Sequence, residues 1–352
     1  MRPRAGPRRA GEAKEAKEAK DILERAATEA DAVGDDRLRA KALSALIFVL
    51  GEGGTANISF LRNQALAALG RSGGDVALEA VLHINVATAL MSDARRDEAR
   101  VELERTLAIL GELHEEHANN AEAARNNLAI IDLEEGKPDA AIAESNQVLD
   151  DIERSVGKLH PLRADAFDNR GLARAQLLDF AGAASDFAGA ASDFAEARAI
   201  IATLSGPHGT SWALFAADEA DALLELGRAA EALALATDAL AAFEDSSPDS
   251  PELGRLPGNV ACADLAFGRV TTALPLLERA VKVPSREAPL EGAKVEFALA
   301  RALGHGPRAG RGSPRDHGQR AKGAALRAGP SGRRCLESAA PKYVALTISC
   351  DG

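Results

Sequence analysis

The sequence predicts an all-α protein, a solenoid of antiparallel helix pairs, and three observations predict it. Ala, Leu, Glu and Arg dominate, and the only aromatics are ten Phe, one Trp and one Tyr, a composition suited to helices that pack closely through small residues. Small residues recur at a fixed long interval. Within one repeat, two amphipathic stretches flank Gly136-Lys137-Pro138, where glycine ends one helix and proline opens the next.

From the N-terminus, residues 1–20 form a basic, partly disordered segment with seven Lys/Arg against three Glu. Its EAKEAKEAK stretch has good helix propensity, and ILERAATEADAV continues one face of that helix. The segment resembles the second helix of an incomplete unit, so a fragment of a longer protein, with an upstream partner domain, is expected. Residues 21–304 form the repeat array, weaker at 21–76 and 288–304 and well marked at 77–285.

Within the array, first helices carry Ala87, Ala129, Gly171, Ala220 and Ala261, and second helices carry Ala99, Ala141, Ala183, Ala232 and Ala273. Both series run at intervals of 42, 42, 49 and 41. The long interval contains FAGAASDFAGAASDF, a tandem copy of seven residues. Seven residues turn a helix through about 700°, so the phase is nearly kept. Small side chains suit these places because each helix pair must cross closely and then stack on the next. In the unit around residues 122–154, Leu128, Ile131, Leu133, Ile142, Val148 and Leu149 supply the apolar faces. Gly227 and Gly268 repeat the Gly136 turn, whereas Ala94 and Leu178 replace it.

Residues 305–352 differ: nine Lys/Arg against three acids, rich in Gly and Pro, with no apolar period. A disordered basic tail is expected there. The change falls where a second helix is due, which favours a shifted reading frame over the alternative, a basic tail that folds against the acidic array or a partner.

NNLA at 126–129, Gly136, Ala141 and GKLHP at 157–161 resemble the 42-residue variety of tetratricopeptide repeat (TPR) found in kinesin light chains and in bacterial signalling proteins. GPHG at 206–209 is a degraded form of the same closing loop. The resemblance implies a right-handed superhelix whose first helices line a concave groove, and partners that are proteins or peptides. It also implies a rival role, that of a detached C-terminal sensory region of a bacterial Ser/Thr protein kinase. Large aromatics usual in the first helix are missing, with Leu90, Asp132, Arg174 and Ala222 in one such position, so looser packing is expected.

Charge and motifs narrow the function. Removing the two basic ends leaves 26 basic and 47 acidic residues between 21 and 304, a net of −21. Such a body disfavours nucleic acid, whose phosphates need clustered Lys and Arg, and favours a basic peptide or basic protein face. Cys262, Cys335 and Cys350 form no CxxC pair and are odd in number, so neither a disulfide framework nor a zinc site is expected. No segment has the uninterrupted apolar run of a membrane span or signal peptide, so a cytoplasmic protein is expected.

Phosphate-loop and kinase signatures are missing, and GHGPRAG at 304–310 follows no strand. His114 and His117 in LHEEH stand three apart but lack the HExxH spacing, and a solvated helix end is expected there. His160 and His208 fall in inter-repeat loops and are expected to cap or pack. No catalytic residue, metal site or cofactor is expected.

The candidate site is a ladder. Asn85, Asn127, Asn169, Asp218 and Asn259 precede the apolar-small pair of each first helix at the same intervals. On the groove that the resemblance implies, an amide that donates and accepts can grip the main chain of an extended peptide. The same amides could instead bind a neighbouring helix backbone or water. Asn126 and Asp168 add polarity to that face, and Glu134, Asp165, Asp221 and Glu225 would favour a basic ligand.

Overall fold

The structure is a computed structural model and describes residues 7–51, 57–111, 118–155, 157–177, 183–246, 256–282 and 289–305. Among these, fourteen helices and no strand occur. They are α1 (Pro7–Val33), α2 (Asp36–Gly51), α3 (Ile58–Arg71), α4 (Val76–Ser92), α5 (Arg96–Leu110), α6 (Ala118–Glu134) and α7 (Pro138–Ser155). Then follow α8 (Pro161–Leu177), α9 (Ala183–Ser205), α10 (Thr210–Glu225), α11 (Ala229–Ser246), α12 (Leu256–Ala266), α13 (Val270–Ala280) and α14 (Pro289–His305). The helix expected through EAKEAKEAK is present as part of α1, while the tail after His305 lies outside the described residues.

The chain divides into two compact units, Met1–Ala222 and Leu223–Gly352. In the first, α4 packs on α5, α6 on α7 and α8 on α9, and the first helices also touch one another, α2 with α4, α4 with α6 and α6 with α8. In the second, α11 packs on α12, α12 on α13 and α13 on α14.

The second helices share one buried stripe. It comprises Ala99, Leu103, Thr106 and Leu110 in α5, Ala141, Ser145, Val148 and Ile152 in α7, and Ala232, Ala236, Ala239 and Phe243 in α11. The spacing of four, three and four residues keeps these side chains on one face of a helix, and that face is the one each first helix covers. In α9 the stripe is Ala190, Phe194 and Ala197, with Ile201 half-buried. Ala190 therefore takes the place of Ala141, seven residues after the expected Ala183, whose side chain lies outside those described. The seven duplicated residues lengthen the start of α9, which has 23 residues against 18 in α7 and α11.

Opposite the stripe, the first-helix small residues are buried as the spacing predicts: Ala87, Ala129, Ala220 and Ala261 are 0% exposed. Gly171 is required by its neighbour, because a Cβ there would stand 2.7 Å from the Phe194 ring. At the turns, Gly136, Gly227 and Gly268 take φ of 70–71°. Ala94 takes φ 58° and keeps the same two closing bonds, Ala94 N–H to Met91 O and Arg95 N–H to Leu90 O. The turn thus survives without glycine, at the steric cost of a Cβ in the left-handed region.

The aromatic-free positions are filled by other means. Asp132 is buried and takes a 2.6 Å ion pair from Arg100 of α5. Arg174 reaches Asp193 of α9 at 2.6 Å, and Leu90 is 3% exposed. By interval the fourth equivalent is Leu223, one residue beyond Ala222, and both are buried. Buried charge and leucine, rather than loose packing, replace the aromatics.

Candidate functional site

The first helices α6 and α8 lie side by side in the first unit, and a cavity of about 210 Å³ opens between them. Asn127, one rung of the expected ladder, lines it together with Asn126, Asp165, Asp168 and Asn169. Ile130 of α6 and Leu162 of α8 supply apolar wall. The alternation of polar and apolar lining follows from the repeat: α6 and α8 present the same helical face to the groove, and that face carries NN in one and DN in the other.

The five ladder positions do not share one role. Asn85 donates its amide to the Ser44 carbonyl at 3.1 Å and to the Ser44 hydroxyl at 3.0 Å, tying α4 to α2. Asn169, 5% exposed, donates to the Asn126 carbonyl at 3.4 Å and ties α8 to α6. Both bonds reach back to the preceding first helix, so these two amides hold neighbouring repeats together. Asn127 is half-buried, makes no hydrogen bond among the described residues, and faces the cavity. Asp218 is half-buried in α10 and Asn259 is buried in α12; each has a partner of its own.

Asn126 is the residue that the ladder pattern does not single out. It is 4% exposed and donates its amide nitrogen to the Leu162 carbonyl at 3.0 Å. That bond fixes the orientation of the amide and leaves Oδ1 buried with nothing to accept from. A buried polar atom without a partner carries a desolvation cost of about 1–3 kcal/mol.

Asp165 is exposed and borders the cavity. Partial desolvation by the surrounding protein raises its carboxyl above the ordinary range, an effect that solvent contact limits. No Lys, Arg or His lines the cavity, so its polar character is that of neutral amides and carboxylates. Of the other acidic groups expected on the groove, Glu134 instead pairs with Arg96 of α5.

Two further clusters of titratable groups lie inside the helix pairs rather than in the groove. His83, 0% exposed, meets Glu102 through Nδ1, and Glu102 also pairs with Arg62 of α3. Burial works against the Glu102 charge, but His83 and Arg62 together outweigh it and hold the carboxyl below its usual range. Glu122 of α6 is 3% exposed and stands where the neighbouring repeats have Ala80, Ala164 and Ala213. Burial first, then the Asp151 carboxylate of α7, pushes Glu122 up to about 8, against a smaller opposing pull from Arg125.

The loop histidines serve local structure. His160 Nδ1 accepts from the Leu162 N–H at 3.3 Å at the start of α8, and the His208 ring packs on Trp212 with centroids 5.1 Å apart. His114 and His117 lie outside the described residues. Among the described residues, no group of three or more His, Cys, Asp or Glu could hold a metal ion, and no helix is long and apolar enough to cross a membrane.

Among solved structures, the chain is similar to BtubC (BKLC) from P. vanneervenii, at 14% identity over 85% of this chain and 96% of that one, with a TM-score of 0.50. The fold is TPR-like. A kinesin light chain-type protein of Podospora anserina with nearly identical TPR-like repeats matches at 18% identity, covering 62% of this chain and 95% of that one, TM-score 0.44. A thermophilic TPR protein of Thermus thermophilus matches at 18% identity, covering 63% and 97%, TM-score 0.44. No family model and no curated protein matches the chain in sequence.

Proposed function

We propose that this protein is an interaction scaffold that holds an extended segment of a partner protein in the groove between its first helices, with Asn127 gripping the segment's main chain. The TPR-like fold supports a protein-binding role in general, and one observation carries the location. Asn127 presents an amide with no hydrogen-bond partner to a cavity between α6 and α8, while Asn85 and Asn169 spend theirs on the neighbouring helix. An amide so placed can donate to and accept from a peptide unit, and the apolar wall at Ile130 and Leu162 can receive a side chain. At about 210 Å³ the cavity is smaller than the roughly 300–1,000 Å³ of pockets that enclose a whole drug-sized ligand. One side chain of a longer segment fits that size better than a free metabolite.

The test is selection of a displayed library of unstructured peptides on the immobilised full chain, repeated with Asn127→Ala. Enrichment by the parent that is lost in the variant, with helicity unchanged by circular dichroism, is the expected result. Equal enrichment by both proteins would move the binding surface away from α6 and α8.

A further inference from the structure

We infer that the α6–α8 cavity is a seat for a basic side chain, lysine or arginine, of the bound segment; this deepens the groove reading above and rests on it. Two independent features point there. The first is the charge of the lining: Asp165 and Asp168 of α8 border the cavity and no cationic side chain does. The second is Asn126, whose buried Oδ1 lacks a donor while its Nδ2 is already committed to the Leu162 carbonyl. An acceptor fixed in orientation, desolvated and unmatched is satisfied only by a group that donates. An ammonium or guanidinium donates several hydrogen bonds and accepts none.

The rest of the cavity agrees with such an occupant. The methylene stem of lysine or arginine is apolar and can lie along Ile130 and Leu162 while its charged end meets the carboxylates. An acidic or carbonyl-ended side chain would bring a second acceptor against Asn126 Oδ1 and a negative charge or dipole against Asp165 and Asp168. A neutral aliphatic chain would fill the apolar wall and leave Oδ1 unmatched. The strongly acidic body, net −21 between residues 21 and 304, adds a long-range attraction for a basic segment but does not select the seat. The two carboxylates and the amide do.

Titration gives the seat a signature. The groups that face Asp165 across the groove from α6 are neutral amides, Asn126 and Asn127, and on its own helix the neighbouring acid is Asp168. On the α8 flank turned away from the cavity, Arg170 is occupied by Asp193 of α9 and by Asn146 of α7, and Arg163 by Glu153 of α7. With those cations engaged elsewhere, a basic occupant meets carboxylates that lose their charge in acid, so preference for a basic side chain should weaken as the pH falls.

The experiment uses the full chain and four pools of capped random peptides that carry at one fixed position lysine, arginine, norleucine or glutamate. Retention of the lysine and arginine pools about tenfold above the norleucine pool is expected, one tenfold step being about 1.4 kcal/mol. In Asp165→Asn/Asp168→Asn, with helicity intact, the preference should fall to about twofold or less while the norleucine pool is retained as before. Retention without preference for a basic residue, or preference for glutamate, would overturn the basic seat and leave the peptide groove standing. A basic preference that persists in the double variant would place the cation elsewhere and overturn the seat as well. If no pool is retained above the level of Asn127→Ala, the groove reading falls together with it.

Discussion

The first unit and the second are built on one repeat, yet their helix pairs are joined differently. At the position three residues after the first stripe alanine, the second helices of the first unit carry Glu102, Glu144 and Asp193, and those of the second unit carry Leu235 and Leu276. Each acid reaches a basic group of a first helix: Glu102 to His83, Glu144 to Arg125 at 3.0 Å, Asp193 to Arg170 and Arg174. The leucines are half-buried. The fold therefore tolerates either chemistry at this seam, and what distinguishes the two is the penalty for mismatch. A leucine can be shortened at the cost of some contact area, whereas a buried acid deprived of its arginine keeps its desolvation penalty. Charged seams also fix which residue meets which, because a one-residue shift would leave both partners unsatisfied.

The strongest test of this difference is Asp193→Leu, which writes the second unit's residue into the first. Asp193 is 3% exposed and holds two guanidiniums, so leaving both without a carboxylate should cost about 3 kcal/mol. Urea unfolding followed by circular dichroism measures this; a loss under about 1 kcal/mol would show that the seam is no more demanding than leucine.

Glu122 probes the other exceptional charge of the first unit. Its folded carboxyl is raised to about 8 from an ordinary 4.5, so the folded state favours the protonated form. Its stability contribution is complete below about 4.5 and is lost as the pH rises through about 8. Glu122→Gln should flatten that decline and exceed the parent at pH 9 by on the order of 2–4 kcal/mol, with little difference at pH 4. Melting curves at several pH values decide this, and parallel curves for the two proteins would place the raised proton affinity elsewhere.

Two backbone-level predictions follow with smaller effects. Gly171→Ala drives a Cβ to 2.7 Å from Phe194 and should cost about 1–3 kcal/mol, the usual range for overpacking. Adding Phe194→Ser, which copies the Ala129–Ser145 pairing of α6 and α7, should remove the clash between the two residues. A double-mutant cycle reads that coupling directly. Ala94→Gly should stabilise by about 0.5–1 kcal/mol, because Ala94 already holds φ 58°; a loss of stability would mean that the alanine side chain has a packing role.

Much of this architecture was legible in the chain itself. The first-helix alanines, the Gly136-type turns and the amphipathic stripes depend on local geometry, a period of 3.6 residues and a repeat of about 42, and both are written in linear spacing. The seven-residue duplication was visible, but its placement was not. Ala183 and Ala190 sit in identical local sequence, and only the packing of α9 on α8 shows Ala190 in the register of Ala141. The charged seams were concealed for a related reason: Glu102 and Asp193 look like solvated helix residues until the partner helix closes over them.

The candidate site divides along the same line. The sequence by itself determined that polar amides recur on one face of successive first helices, because recurrence needs only the interval. It could not determine which of them remain available, since Asn85 and Asn127 are equivalent in spacing and in side chain. The tertiary structure decided that by distance: Ser44 lies within reach of Asn85, the Asn127 side chain makes no hydrogen bond among the described residues, and Leu162 takes only one end of Asn126. Hydrogen bonds are short and directional, so a repeat can fix which residue occupies a position while the packing of neighbouring helices fixes whether that residue is spent on the fold or left for a partner.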